Sequence, residues 1–114
     1  MTIRADGIAP LERFPLTVAS GSANGAGNNV ILTPGSGKRL RLHYVSYNPD
    51  DAVEAAFCFD SGASFLRNKL GVGGSVIAKD FGDLRYCEGP IDESLNLHLS
   101  AAVTTIWNVM YVEV

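Results

Sequence analysis

Apolar residues in this chain fall in short runs that alternate with polar ones, and glycine and proline stand between the runs. Alternation of period two puts successive side chains on opposite faces of a strand. The pattern is clearest over residues 38–47, where Leu40, Leu42 and Tyr44 point one way and Arg39, Arg41 and His43 the other. Over residues 53–60, Val53, Ala55, Phe57 and Phe59 share a face opposite Glu54, Ala56, Cys58 and Asp60. Leu95, Leu97 and Leu99 alternate with Asn96, His98 and Ser100. Further strands are predicted over 16–19, 30–33, 65–70, 76–81 and 105–114, with an irregular stretch over 84–90. No stretch of eleven residues keeps a 3.6-residue period.

Turn chemistry separates these runs. Pro34, Gly35, Ser36 and Gly37 end one strand, Asn48, Pro49, Asp50 and Asp51 end another, and Gly71 to Gly74 turn a third. Residues 21–29, rich in glycine and asparagine, read as a flexible loop. Seven to nine short strands at regular spacing predict an all-β fold, a single antiparallel β-sandwich of jelly-roll or immunoglobulin-like type. The Cys-Trp-Cys order of true immunoglobulin domains is absent, since Trp107 follows both cysteines. The pattern divides the chain into an extended N-terminal arm, residues 1–15, and a sandwich domain, residues 16–114. Pro10 and Pro15 favour extended backbone in the arm. Its Ile3, Ile8, Leu11 and Phe14 are too sparse for a core of their own.

Composition narrows the function. Of 114 residues, 46% are hydrophobic and 18% charged, with a formal net charge of −3. That excludes disorder, which needs low hydrophobicity and high net charge. It also argues against a nucleic-acid partner, which selects basic domains. No apolar run approaches the roughly 20 residues that span a bilayer. Residues 1–9 contain Arg4 and Asp6 but no apolar signal core. The expectation is a soluble protein with no membrane partner.

Candidate chemistry is sparse. His43, His98, Cys58 and Cys87 lack the short ligand spacings of zinc sites, so no metal is expected. Cys58 between Phe57 and Phe59 reads as a packing position rather than a nucleophile. Gly71 to Gly74 are not followed by a helix, so they make a turn and not a phosphate cradle. Asp80, Asp83, Glu88, Asp92 and Glu93 form an acidic loop without the spacing of a calcium loop. Lys38, Arg39 and Arg41 read as a solvated stripe or a docking face for an acidic surface. No catalytic residue and no cofactor are expected. The two cysteines are either independent free thiols or a disulfide formed outside the cytosol, within one chain or between neighbours.

Two features point to assembly. The last strand does not alternate cleanly, with Ile106, Asn108, Met110, Val112 and Val114 on one face and Trp107, Val109 and Tyr111 on the other, so both faces are largely apolar. Such a strand is covered on both faces, by its own loops and arm or by a second copy. The second alternative puts Trp107, Met110 and Tyr111 at a subunit contact. The apolar-dotted arm is expected to lie on another surface, with Leu11 and Phe14 buried there and Arg4 and Arg13 meeting acidic groups.

From Asn28 onward the sequence resembles a family of small tailed-phage virion proteins, often head decoration (cement) proteins. The residues that carry the likeness are Asn29 and Val30; Gly37, Lys38, Arg39, Leu40, Arg41, Leu42 and Tyr44; Phe59, Ser61, Gly62, Leu70, Gly73 and Gly74. The closing stretches, residues 93–102 and 111–114, match best. The chain departs from the family in its proline-containing arm, its two cysteines, and Leu84, Arg85, Tyr86 and Cys87, where relatives carry an apolar-Trp-Phe type stretch. The resemblance implies a β-sandwich, often a homotrimer, attached to a capsid or tail, with no catalytic residues. The expected function is to bind the outer capsid surface and bridge subunits of the major capsid protein. Such a protein is made in the host cytoplasm and resides in the virion. The alternatives are a tail, baseplate or fibre module, or a carbohydrate-binding jelly roll using Tyr47 and Tyr86.

Overall fold

Nine strands and no helix form among residues 16–62, 64–71, 76–81 and 86–114, which the computed structural model describes. The arm, residues 1–15, lies outside them. The strands are β1 (Thr17–Ala23), β2 (Gly27–Leu32), β3 (Leu40–Pro49), β4 (Val53–Phe59), β5 (Phe65–Gly71), β6 (Ile77–Asp80), β7 (Cys87–Glu88), β8 (Leu95–Leu99) and β9 (Thr105–Glu113). They make two antiparallel sheets. The first runs β1-β9-β3-β6, with β7 also on β3; the second runs β2-β8-β4-β5.

The pairings are nested. β1 pairs with β9, β2 with β8, β3 with β6 and β7, and β4 with β5. A long hairpin folded at β4–β5 and rolled up gives this order, with β9 closing on β3 and β8 on β4. Of the two sandwich types the sequence allowed, the strand order is that of a jelly roll.

Residues 21–29 differ from their expectation as a loop. β1 continues through Gly21 to Ala23, and β2 starts at Gly27. Position 21 is glycine for a packing reason. A Cβ there would stand 2.9 Å from the Trp107 ring, which fills the space behind the strand.

The alternation in β3 also breaks. Leu42 faces Tyr111 and Tyr44 faces Met110, so His43 is an extra residue in a β-bulge. One extra residue reverses the faces of everything after it. Leu40 and Leu42 point inward before the bulge, and Val45 and Tyr47 do so after it. Tyr44, expected beside Leu40 and Leu42, therefore faces outward.

The core lies between the sheets. Leu40, Leu42, Val45, Tyr47, Trp107 and Val109 meet Val53, Phe57, Phe59, Leu95, Leu97 and Leu99. Phe57 stacks on Phe65 with ring centroids 5.8 Å apart and meets Tyr47 edge-on at 5.6 Å. Tyr47 is 1% exposed. Its hydroxyl crosses the sandwich to the carbonyls of Ala55, at 3.2 Å, and Leu66, at 3.0 Å. These carbonyls lie where the β4–β5 register slips, on both sides of Ala55, and where Leu66 takes a left-handed φ of 52°. The irregularity takes them out of the regular ladder, and the tyrosine supplies a donor.

Two substitutions test this packing. Tyr47→Phe keeps the ring but leaves the two carbonyls without their donor, a loss of about 1–3 kcal/mol. Its denaturation midpoint should fall with the denaturant slope unchanged. Gly89→Ala places a Cβ 2.4–2.7 Å from the Phe59 ring. It should cost about 1–3 kcal/mol through overpacking. Midpoints equal to the parent's would show that neither contact is built as described.

Candidate functional site

The outer face of the first sheet carries two exposed large apolar side chains, Val18 and Ile106. Register places its side chains in rows across the strands. Val18, Met110, Tyr44 and Asp80 form one row; Ser20, Asn108, Ser46 and Ala78 the next; Ser22, Ile106 and Asn48 a third. Within these rows the only charged side chain is Asp80, at the β6 edge. Val18 is 67% exposed and Ile106 48%. Asn108 donates to the Ser46 hydroxyl at 3.5 Å. The Asn48 Oδ1 is buried and has no hydrogen-bond partner among the described residues.

One end of the face is framed by Tyr86, exposed beside β7. The Arg41 guanidinium lies 4.6 Å from the centre of its ring, and the His43 ring 5.9 Å away. Arg41 Nε donates to Glu88 at 2.6 Å, and Arg39 reaches the same carboxylate at 3.3 Å. The hydrogen bond from Arg41 holds the Glu88 carboxyl below its usual range, and Arg39 adds to this. The basic stripe of the sequence is thus anchored to a carboxylate. Tyrosine and arginine are the residue types that anchor protein interfaces.

The outer face of the second sheet carries a depression of about 230 Å³, lined by residues that include Asn28, Glu54, Cys58, Asp60, Ser64 and His98. Asn28 Oδ1 lies 2.8 Å from His98 Nδ1 and 3.8 Å from the Cys58 sulfur. An amide oxygen only accepts, so His98 carries its proton on Nδ1 and the thiol also donates to Asn28. Burial and then the Asp60 charge push the Cys58 thiol pKa up. A thiol held protonated and donating to an amide is not an activated nucleophile. Asp60 is held below the usual carboxyl range by the Asn96 amide, at 2.8 Å, and then the Ser94 backbone N–H, at 2.9 Å. Among the described residues no group of three or more His, Cys, Asp or Glu side chains is placed to hold a metal.

The residues singled out in the sequence divide as follows. Trp107, expected at a subunit contact, is 8% exposed and packs inside its own chain under β1. The reason is parity: Trp107, Val109 and Tyr111 share the inward face of β9, and Tyr111 packs partly against the core. Met110 lies on the outer face, half-buried. Tyr47, expected on a sugar-binding face, is a core residue because of the β3 bulge. Tyr86 stays exposed. Cys58 and Cys87 are both free. Cys58 faces out of the second sheet, whereas Cys87 packs against the core from the first. Arg4, Leu11, Arg13 and Phe14 lie outside the described residues. So does Asp83. Of the other acidic residues, Asp80 ends β6 and Glu88 pairs with Arg39 and Arg41, while Asp92 accepts from Gly37 N at 2.6 Å and Glu93 from Ser61 N and Oγ at 2.9 and 2.6 Å. The Asn28, Cys58 and His98 cluster was not legible, because only the β2-β8-β4 order brings its members together.

No protein-family model matches the chain, and no curated protein is significantly similar to it. No helix among the described residues is long and apolar enough to cross a membrane.

The thiols give a pH test. Burial raises the Cys87 pKa as well. A raised folded-state value means that the folded chain keeps thiol protons that the unfolded chain releases. Stability from this source is full below the ordinary thiol value of 9.0 and is lost as pH rises above it. Urea midpoints should fall above about pH 9, less steeply in Cys58→Ala and Cys87→Ala. Maleimide should label both thiols far more slowly in the native than in the denatured chain. Equal labelling rates would contradict the placement of both residues.

Proposed function

We propose that this protein is a non-enzymatic structural protein of a tailed-phage virion, of the head decoration type. It binds the outer capsid surface and holds neighbouring subunits of the major capsid protein together. The observation that carries the reading is the outer face of the first sheet. Its middle rows are almost free of charge and apolar along Val18, Met110, Tyr44 and Ile106, with an aromatic-arginine anchor at one end. A monomer that leaves such a sheet face in water has a surface suited to protein contact. Jelly rolls recur among viral capsid and lectin domains, which is an analogy of fold and not of site. Of the two, the lectin analogy is the weaker here, since Tyr47 is removed from the surface.

Stabilisation of a shell by such a module needs no chemistry. Contact area added across a joint between subunits opposes their separation. Ile106, Met110 and Val18 supply the apolar part. The arm is the second grip, through Leu11 and Phe14 against apolar surface and Arg4 and Arg13 against acidic groups.

Binding to particles stripped of the protein tests both grips. Ile106→Lys and Met110→Lys should each weaken binding at least about tenfold, since about 1.4 kcal/mol of lost contact does so. Both positions face outward, so the melting of the free protein should stay near the parent's. Deleting residues 2–14 should abolish binding and leave the sandwich folded. Parent-like binding by both lysine variants would overturn the assignment of this face to the shell.

A further inference from the structure

Besides β7, a two-residue strand on β3, four strands form the edges of the two sheets: β1 and β6 in the first, β2 and β5 in the second. An edge strand presents unpaired N–H and C=O groups that pair with any strand offered, and stable proteins blunt such edges. Three of the four are blunted here. β6 has only four residues, two of them Lys79 and Asp80. β5 contains Arg67 and Lys69, and its register slips twice. β2 breaks its register between Val30 and Leu32. β1 has none of these devices. Its seven residues, Thr-Val-Ala-Ser-Gly-Ser-Ala, hold an unbroken register with β9 from Thr17 opposite Tyr111 to Ala23 opposite Thr105. It contains no charge, no proline and no bulge. Among the described residues, no main-chain hydrogen bond outside the β1–β9 ladder involves Thr17–Ala23.

We propose that β1 pairs antiparallel with β1 of a second copy of this chain, across a two-fold axis at Ser20. The strand is self-complementary in that register. Ser20 meets its own counterpart, Val18 meets Ser22 of the second copy, Ala19 meets Gly21 and Thr17 meets Ala23. Every pair is small and uncharged, so the like-charge repulsion that a two-fold axis imposes on a charged edge is absent. Gly21 cannot be enlarged, because Trp107 fills the space behind it. The dimer joins the first sheets along the path β6-β3-β9-β1-β1-β9-β3-β6, with β7 of each copy also on β3. A two-fold axis perpendicular to this sheet turns the same outer face of both copies to one side. Seven paired residues bury less than the about 1,000 Å² of a stable interface. The free protein is therefore a reversible, concentration-dependent dimer.

Sedimentation of the free, full-length protein tests this without reference to any particle, so its failure is separate from a failure of shell binding. The parent should show a monomer–dimer equilibrium. Ser20→Lys sets two ammonium groups face to face on the axis. Because Ser20 is exposed, this variant should melt like the parent but remain monomeric at every concentration. Ser20→Cys, treated with oxidised glutathione, should give one crosslinked dimer that the parent does not give. Val18→Cys should crosslink well only when mixed with Ser22→Cys. A parent that stays monomeric, a trimer, or a dimer indifferent to Ser20→Lys would overturn the proposal. So would a dimer lost on deleting residues 2–14 but kept in Ser20→Lys, which would assign the contact to the arm.

Discussion

The Tyr47 hydroxyl, set between the two sheets, is the contact on which the rest of this sandwich depends. Two departures from regular pairing meet there. The His43 bulge turns Tyr47 inward, and the slipped β4–β5 ladder leaves the Ala55 and Leu66 carbonyls in need of a donor. Each irregularity would be costly alone. Together they form a polar tie inside an otherwise apolar core, and such a tie fixes how the sheets sit on one another. The same bulge places Tyr44, Ser46 and Asn48 on the outer face. Core geometry and exposed surface are thus set by one inserted residue.

The charged side chains follow a complementary rule. Several carboxylates near the ends of the sandwich are committed to loops. Glu113 accepts from Gly35 N at 2.7 Å, Asp92 braces Gly37, Glu93 braces Ser61, and Asp60 holds Ser94 and Asn96. Arg39 and Arg41 are tied to Glu88 at one end of the first sheet. With charge spent at turns and ends, the middle of that sheet is left neutral. A neutral face and an unblunted β1 edge are unusual together in a protein that works alone.

Much of the fold was legible because strand periodicity is a local property. Leu95, Leu97 and Leu99, and Val53, Ala55, Phe57 and Phe59, face the core as their period-two spacing predicts, while Ala56, Cys58 and Asn96 between them are buried too, on the other face of the second sheet. What failed depended on partners distant in sequence. β1 beyond Ala19 looked like a loop because glycine and serine carry little strand preference, yet it is ordered against β9, with Gly21 over Trp107. The bulge had a trace in the sequence, the three-residue step from Leu42 to Val45 between apolar positions. The double apolarity of β9 resolves by parity: Trp107, Val109 and Tyr111 face the core of their own chain, whereas Ile106 and Met110 lie on the outer face. The depression at Asn28, Cys58 and His98 had no signal along the chain, since three separate strands contribute to it.

The central claim is that the neutral face of the first sheet is seated on a shell. An electron-microscopic reconstruction of the purified particle tests it most directly. The account predicts hundreds of copies on the outside of the head, each with the outer face of the β1-β9-β3-β6 sheet turned toward the shell. A reconstruction with a few copies confined to the tail, or with that face turned to solvent, would contradict it.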